Sequence, residues 1–186
     1  MQIIWRTAMS IDAKLASREH RLDFLEAIAD KEAAMGDFAA FVASLDAIIL
    51  GAATLRWLLR EGHGWPHGDT PTWLVSHDPG LLAAVGSTPA PLLRIEGDLR
   101  ALVQELTDAG AQRVWLCGGG SLAGQLLALD HIDQIDATLA PVALGAGPSL
   151  FGDQPLPERR FVVEDCRMVA GNAVHIRWRR ERGSAA

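Results

Sequence analysis

Hydrophobic residues fall in short blocks along the chain, and the spacing within each block predicts its element. Residues 2–9 are rich in β-branched and aromatic side chains and end on the polar turn Ser10-Ile11-Asp12-Ala13-Lys14, the pattern of a strand followed by a loop. Between residues 23 and 45 the period lengthens. Phe24, Leu25 and Ile28 share one helical face and Phe38, Phe41, Val42 and Leu45 another, with Gly36-Asp37 predicted as a break and a new N-cap. Residues 46–51 form a continuous apolar run stopped by Gly51, which suits a strand buried on both faces. Residues 54–60 predict a helix, and residues 61–70, with Gly62, Gly64, Pro66 and Gly68, a loop. Interior strands are predicted at residues 72–76, 91–95 and 113–117. Helices are predicted at 98–109, amphipathic through Leu99, Leu102, Val103 and Leu106, and at 121–129.

The last third changes character. Residues 132–140, 160–168 and 172–180 predict longer strands with no helices between them, which reads as an antiparallel edge added to a parallel sheet. The fold class expected is therefore α/β, with a mixed, mostly parallel sheet and antiparallel C-terminal strands. Residues 1–180 read as one domain and residues 181–186 as a frayed tail, with no internal repeat or linker.

Composition narrows the partners. The chain has 186 residues, 49% hydrophobic and 22% charged, with a formal net charge of −6, so no basic field points to nucleic acid. Arg177, Arg179, Arg180 and Arg182 read as a solvated strand end. Cys117 and Cys166 lie far apart and outside any CxxC, which suits a reducing compartment. No secretory leader and no membrane-length apolar run is visible, so the expected location is cytoplasmic.

Three strand-then-polar-turn junctions carry candidate chemistry. In the first, Leu116-Cys117-Gly118-Gly119-Gly120-Ser121-Leu122, a strand ends in glycines before a helix. That arrangement exposes backbone N–H groups, lets a phosphate approach, and adds the partial positive charge of a helix N-terminus. Gly118, Gly120 and Ala123 formally match a dinucleotide fingerprint, with Asp136 as the ribose acid. A Rossmann unit is set aside because antiparallel strands are expected to follow. The second junction is Ile49-Leu50-Gly51-Ala52-Ala53-Thr54, where Thr54 either caps the helix or meets a phosphate. The third is Val75-Ser76-His77, where Ser76 and His77 either meet an anion or form a simple turn. Strand ends from one parallel sheet share a carboxyl edge, where open α/β sheets bind ligands. Asp12 and Lys14 face that edge or form a solvated turn. His63 and His67 have zinc-ligand spacing, but Gly64 and Pro66 forbid the helix it requires, so no metal is expected. Cys117 reads as a buried strand residue rather than a nucleophile.

At these junctions the chain resembles the dihydrofolate-reductase-like superfamily, and within it stand-alone bacterial relatives of the riboflavin-biosynthesis reductase domain. Met9-Ser10-Ile11-Asp12-Ala13-Lys14-Leu15-Ala16 resembles the family's S-L-D-G-K-I-A, and Gly51-Ala52-Ala53-Thr54 its G-x-x-T. Gly118-Gly119-Gly120-Ser121-Leu122 resembles its G-G-x-x-L, and residues 139–147 its A-P-x-x-x-G-x-G. The resemblance spans residues 3–178 and implies a three-layer α/β/α fold with an eight- or nine-stranded sheet, a homodimer, and NADPH as cofactor. It places Gly51, Thr54 and Gly118, Gly119, Gly120, Ser121 and Leu122 at the cofactor's phosphates and nicotinamide. Ser76 and His77 fall near the 2′-phosphate, the backbone of Thr7 and Ala8 at the nicotinamide amide, and Asp12 and Lys14 beside the substrate. Three departures stand out: Ala13 replaces a glycine, Cys117 a glutamate, and Gly62-His63-Gly64-Trp65-Pro66 stands where an aspartate-proline segment is usual.

The resemblance implies an NADPH-dependent reductase of a small heterocyclic substrate, similar to 5-amino-6-(5-phosphoribosylamino)uracil reductase or dihydrofolate reductase. A non-catalytic NADPH- or nucleotide-binding module of the same fold is the alternative. A dimeric structural domain with an empty cleft is a third reading.

Overall fold

The computed structural model describes residues 1–62, 66–85, 92–95 and 98–182. One 8-stranded sheet organises them, in the order β4-β3-β2-β5-β1-β6-β8-β7. Its strands are β1 Gln2–Ser10, β2 Ala47–Gly51, β3 Thr72–Val75, β4 Leu92–Ile95, β5 Arg113–Gly118, β6 Gln134–Ala140, β7 Phe161–Val169 and β8 Ala173–Arg180. The helices are α1 Lys31–Val42, α2 Ala52–Glu61, α3 Gly80–Val85, α4 Leu99–Asp108 and α5 Gly120–Ala128. Strands β1 to β6 pair in parallel, and β8 and β7 add the antiparallel edge.

The continuous apolar runs form the central strands because both faces are covered. Ile3, Trp5, Ile49, Val114 and Leu116 pack with Leu102 and Leu106 of α4 and Leu122 and Leu126 of α5. The alternate residues Ile4, Ile48 and Trp115 pack with Phe38 and Phe41 of α1, and Leu50 and Leu74 with Leu55 of α2 and Leu81 of α3. Period-two alternation thus splits each strand between two helical layers, giving the expected α/β/α sandwich. Trp115 is gripped edge-on by Phe38 and Phe41, with ring centroids 5.4 and 5.9 Å away. Such pairs add about 0.5–1.5 kcal/mol each beyond their area burial.

Four details differ from the sequence expectation. The first predicted helix is only a 3-10 turn, Asp23–Ala27, and the break falls between residues 28 and 30. Asp30 caps α1 by accepting from the Ala33 N–H, and the helix runs straight through Gly36-Asp37. Asp37 does not cap because its carboxylate pairs with Arg6 on the sheet below. Helix α3 carried no recognised signal and is one short segment between a turn and undescribed residues.

Strand β6, expected as part of the antiparallel finish, pairs in parallel with β1 from Ile4↔Gln134 to Ser10↔Ala140. Antiparallel strands are thus not all that follows the glycine turn, and they do not exclude a Rossmann unit. What excludes it is the strand order, together with the fully buried Asp136, whose carboxylate is already taken by Arg177 and Gln134. Thr54, finally, is no cap: the N-cap of α2 is Gly51, and no side chain caps that helix. Pro91, His63 and the tail residues 183–186 lie outside the described residues.

Gly36 is exposed in mid-helix, and a Cβ built on it meets nothing within 4 Å. Gly36→Ala is expected to stabilise the protein by about 0.5–1 kcal/mol, read as a higher urea midpoint at unchanged slope.

Candidate active site

The carboxyl ends of β3, β2 and β5 lie side by side, because the three strands are parallel neighbours with Gly51 opposite Val75 and Leu50 opposite Gly118. This brings all three sequence junctions to one edge. The register slips by one residue between β2 and β5 at Cys117, a bulge that re-aims the end of β5. The approach there is close. A Cβ on Gly51 would lie 2.7 Å from the Gly118 carbonyl oxygen, and one on Gly118 would lie 2.9 Å from Thr54 Oγ1. Gly118 also has φ +145° and precedes a cis peptide to Gly119.

The three glycines have different reasons to be glycine. A Cβ on Gly120 would collide with the Ser149 carbonyl oxygen and crowd Leu15, so the packing of residues 149–152 on α5 demands it. Gly119 is different. Its backbone is extended, with φ −98° and ψ −175°, and a Cβ there would meet only Thr54 Oγ1 at an ordinary 3.6 Å. Nothing within the described chain requires Gly119 to lack a side chain.

Helix capping separates the same places. Asp30 caps α1 and Asp98 caps α4, each accepting from a backbone N–H of the first turn. Helices α2 and α5 start on Gly51 and Gly119 with no side-chain cap. Their first-turn N–H groups and the positive ends of two helix dipoles converge where Gly51 abuts Gly118 and Gly119. Ser121 is exposed in the first turn of α5, and Leu122 packs inward.

Next to this seat the sheet parts. The last registered pair of β1 and β5 is Trp5↔Leu116, whereas β1 continues along β6 to Ser10. Main-chain groups alternate sides along a strand. Gln2 N–H donates to Gln112 and the Arg6 carbonyl accepts from Trp115 Nε1 at 3.1 Å, both on the β5 side, while the Ile3 carbonyl accepts from Asp133 beside β6. By the same alternation Ala8 directs its N–H and C=O into the gap that β5 vacates. Thr7 is half-buried there, and its hydroxyl donates to the Ala8 carbonyl.

The remaining predicted residues frame this region. Asp12 is exposed and ties two loops together. Its Oδ1 accepts from Ser10 Oγ at 2.6 Å and from Leu144 N–H at 3.0 Å, and its Oδ2 from Gly145 N–H at 2.7 Å. The Ser10 hydroxyl and then these N–H groups hold its carboxyl down to about 2. Lys14 bridges to Ser149, with Nζ 3.3 Å from Ser149 Oγ. Ser76 is buried and its Oγ accepts from Asp78 N–H, so it forms the turn into α3, while His77 is exposed. Cys117 Sγ lies 3.8 Å from His67 Nε2, and His67 stands edge-on to Trp115. Burial pushes the Cys117 thiol up to about 12 and the His67 imidazole down to about 4, so both are neutral near pH 7. No group of three or more metal-ligating side chains occurs among the described residues.

Sequence reasoning did not single out Arg56. It lies on α2 and reaches across to Asp78, NH2 to Oδ2 3.1 Å, bringing a guanidinium to the Ser76-His77 turn. Only the relative placement of α2 and the end of β3 reveals it.

The pairing of Asp12 makes its contribution to stability depend on pH. Its folded pKa is depressed from 3.8 to about 2, so the contribution is fully present above pH 3.8 and is lost as pH falls through about 2. The difference in urea midpoint between the wild type and Asp12→Ala should hold steady above pH 3.8 and close between there and pH 2. A difference unchanged at pH 2 would contradict the bridging role.

A family model described as the RibD C-terminal domain matches residues 65–174, more than half of the chain. The uncharacterized protein YwjB of Bacillus subtilis is 26% identical over 146 residues, spanning 77% of this chain and 79% of its own length. Among solved structures, a Shewanella sp. PV-4 protein named for riboflavin biosynthesis superposes with a TM-score of 0.82 at 24% identity, covering 98% of this chain and 100% of that one. A pyrimidine reductase-like protein of Corynebacterium diphtheriae reaches 0.74 at 16%, over 97% and 92%. Dihydrofolate reductase of Enterococcus faecalis, complexed with NADP(H), reaches 0.59 at 12%, over 97% of both chains. No helix among the described residues is long and apolar enough to cross a membrane. With the matched span, the strand order and the glycine junctions in agreement, this chain belongs to the RibD C-terminal domain family and has the dihydrofolate-reductase-like fold.

Proposed function

We propose that this chain is an NADPH-dependent reductase of a small polar heterocycle, with 5-amino-6-(5-phosphoribosylamino)uracil as the leading substrate. The observation that carries this reading is the pair of uncapped helix N-termini meeting at Gly51 and Gly118, in a molecule that caps α1 and α4 with aspartates. A pyrophosphate suits such a seat, since N–H donors and dipole ends there lack a carboxylate of their own. Membership of the RibD C-terminal domain family supports the same reading.

The residues present fit the dinucleotide at each of its parts. The first turns of α2 and α5, with Thr54 and Ser121, would hold the pyrophosphate, and the bare Cα of Gly119 admits it closely. Ala8, with one donor and one acceptor aimed into the gap, matches a carboxamide, which needs one of each. Arg56, Ser76 and His77 border the place of the 2′-phosphate, with Arg56 as its strongest partner once released from Asp78. Bound there, NADPH supplies the hydride. The protein's own contribution is positioning and dryness: neutral Cys117 precedes the glycine pair, backed by neutral His67, and neither brings a charge that would draw water. Asp12 fixes the loop from β1 against residues 144–145, and the same loop offers Lys14, held at Ser149, as a cation for the substrate.

One observation favours a second reading, a nucleotide-binding module without catalysis. Cys117 stands where riboflavin-pathway relatives carry a glutamate, and a neutral thiol cannot take that carboxylate's part.

Gly119→Ala should keep the wild-type unfolding free energy in urea within about 0.5 kcal/mol yet lose at least ~10-fold in NADPH affinity by calorimetry. Arg56→Ala should weaken NADPH by about 10-fold and leave NADH unchanged. Loss of NADPH absorbance with the pyrimidine substrate separates the reductase from the binding module, and absence of NADPH binding to the wild type at millimolar concentration sinks both.

A further inference from the structure

His175 poses a problem of hydrogen bonding. It is only 2% exposed, on β8, with Nδ1 3.2 Å from Thr138 Oγ1, while its Nε2 has no hydrogen-bond partner. The sheet register places it in a row of three, Ala8↔Thr138↔His175, on the face that α1 covers. Ala8 and Thr138 are half-exposed in that row and His175 is sealed behind them. Strand spacing sets Thr138 about 4.8 Å from Ala8, whose far side is the gap left by β5.

The state of the imidazole follows from its surroundings. Burial lowers its pKa; Arg6 on β1 and Arg167 on β7 lower it further, while Asp136 on β6 and Asp37 on α1 oppose them, leaving the net shift downward. The ring is neutral and carries one proton. A buried N–H without an acceptor is rarer and costlier than a buried lone pair without a donor. The proton therefore belongs on Nδ1, where it is donated to Thr138 Oγ1, and the bare lone pair on Nε2. Having accepted from the histidine, the Thr138 hydroxyl keeps its own proton for a partner on the open side.

We propose that His175 is a positioning residue that fixes Thr138 as a hydrogen-bond donor on the floor of the substrate side of the cleft. Its partner there is a carbonyl oxygen or unprotonated ring nitrogen of a flat heterocycle. The proposal rests on the reductase reading and gives that substrate one recognised edge.

Two measurements test it. Long-range proton–nitrogen NMR of the whole protein, labelled at histidine nitrogens, should show His175 protonated at Nδ1 and bare at Nε2 at neutral pH, with its titration displaced below the ordinary histidine pKa of about 6.5. A proton on Nε2, or an ordinary titration, overturns the assignment. Calorimetry on NADP-saturated protein with 5,6-diaminouracil as probe should show Thr138→Val and His175→Phe each losing about 10-fold in affinity. The double variant should be no weaker than Thr138→Val alone, His175→Gln should rescue binding by donating its amide N–H, and NADP affinity should hold within about 2-fold. If His175→Phe does not fold, His175→Gln and Thr138→Val carry the comparison. Additive losses, an unaffected probe, a parallel loss of NADP affinity, or a wild type that binds NADP without the probe each overturn the proposal. A wild type that binds no NADP overturns the reductase reading as well.

Discussion

The ends of β2 and β5 touch so closely that neither Gly51 nor Gly118 has room for a β-carbon, and much of the site follows from that contact. It sets the starts of α2 and α5 against each other, because each helix begins one or two residues beyond its glycine. It turns β5 away from β1 after Leu116, and so opens the edge of β1 at Ala8. It also requires a slip in register at Cys117, which lodges between the hydrophobic clusters beneath α1 and α2. A steric limit at one pair of backbones therefore yields both the paired helix starts proposed as an anion seat and a slot beside them.

The two sides of the sheet divide the work. The side carrying α4 and α5 is a dry core built on Ile3, Trp5, Ile49, Val114 and Leu116. The side carrying α1 is apolar under Phe38 and Phe41 but turns polar across β6 and β8, where Arg6, Asp136, Arg177, Thr138 and His175 follow one another in register. Arg6 joins the two regions. Its guanidinium lies 4.5 Å from the Phe41 ring centroid and pairs with Asp37 on the same helix. On the proposed reading, substrate chemistry falls on this polar half, and the apolar half gives it a rigid frame.

The strands were legible because burial on both faces writes a continuous apolar run, and the three junctions because glycine after such a run has few uses. Parallel topology then forced those junctions onto one edge. The break in residues 23–45 was misplaced because Asp30 and Asp37 are equally good caps in isolation, and only the tertiary pairing of Asp37 with Arg6 decides between them. Arg56 near Ser76, and Thr138 beside His175, were invisible for a related reason: each pair depends on strand or helix placement across 20 residues or more. The triple glycine was read as a single phosphate loop, whereas Gly118 answers to Thr54, Gly120 to Ser149, and Gly119 to nothing within the described chain.

Backbone amide NMR during an NADPH titration tests the anion seat most directly. Binding at the paired helix starts predicts that the N–H resonances of Ala52, Ala53, Gly119, Gly120 and Ser121 shift together, while those of the aspartate-capped first turns of α1 and α4 stay in place. Saturable binding that leaves the starts of α2 and α5 unperturbed would contradict it.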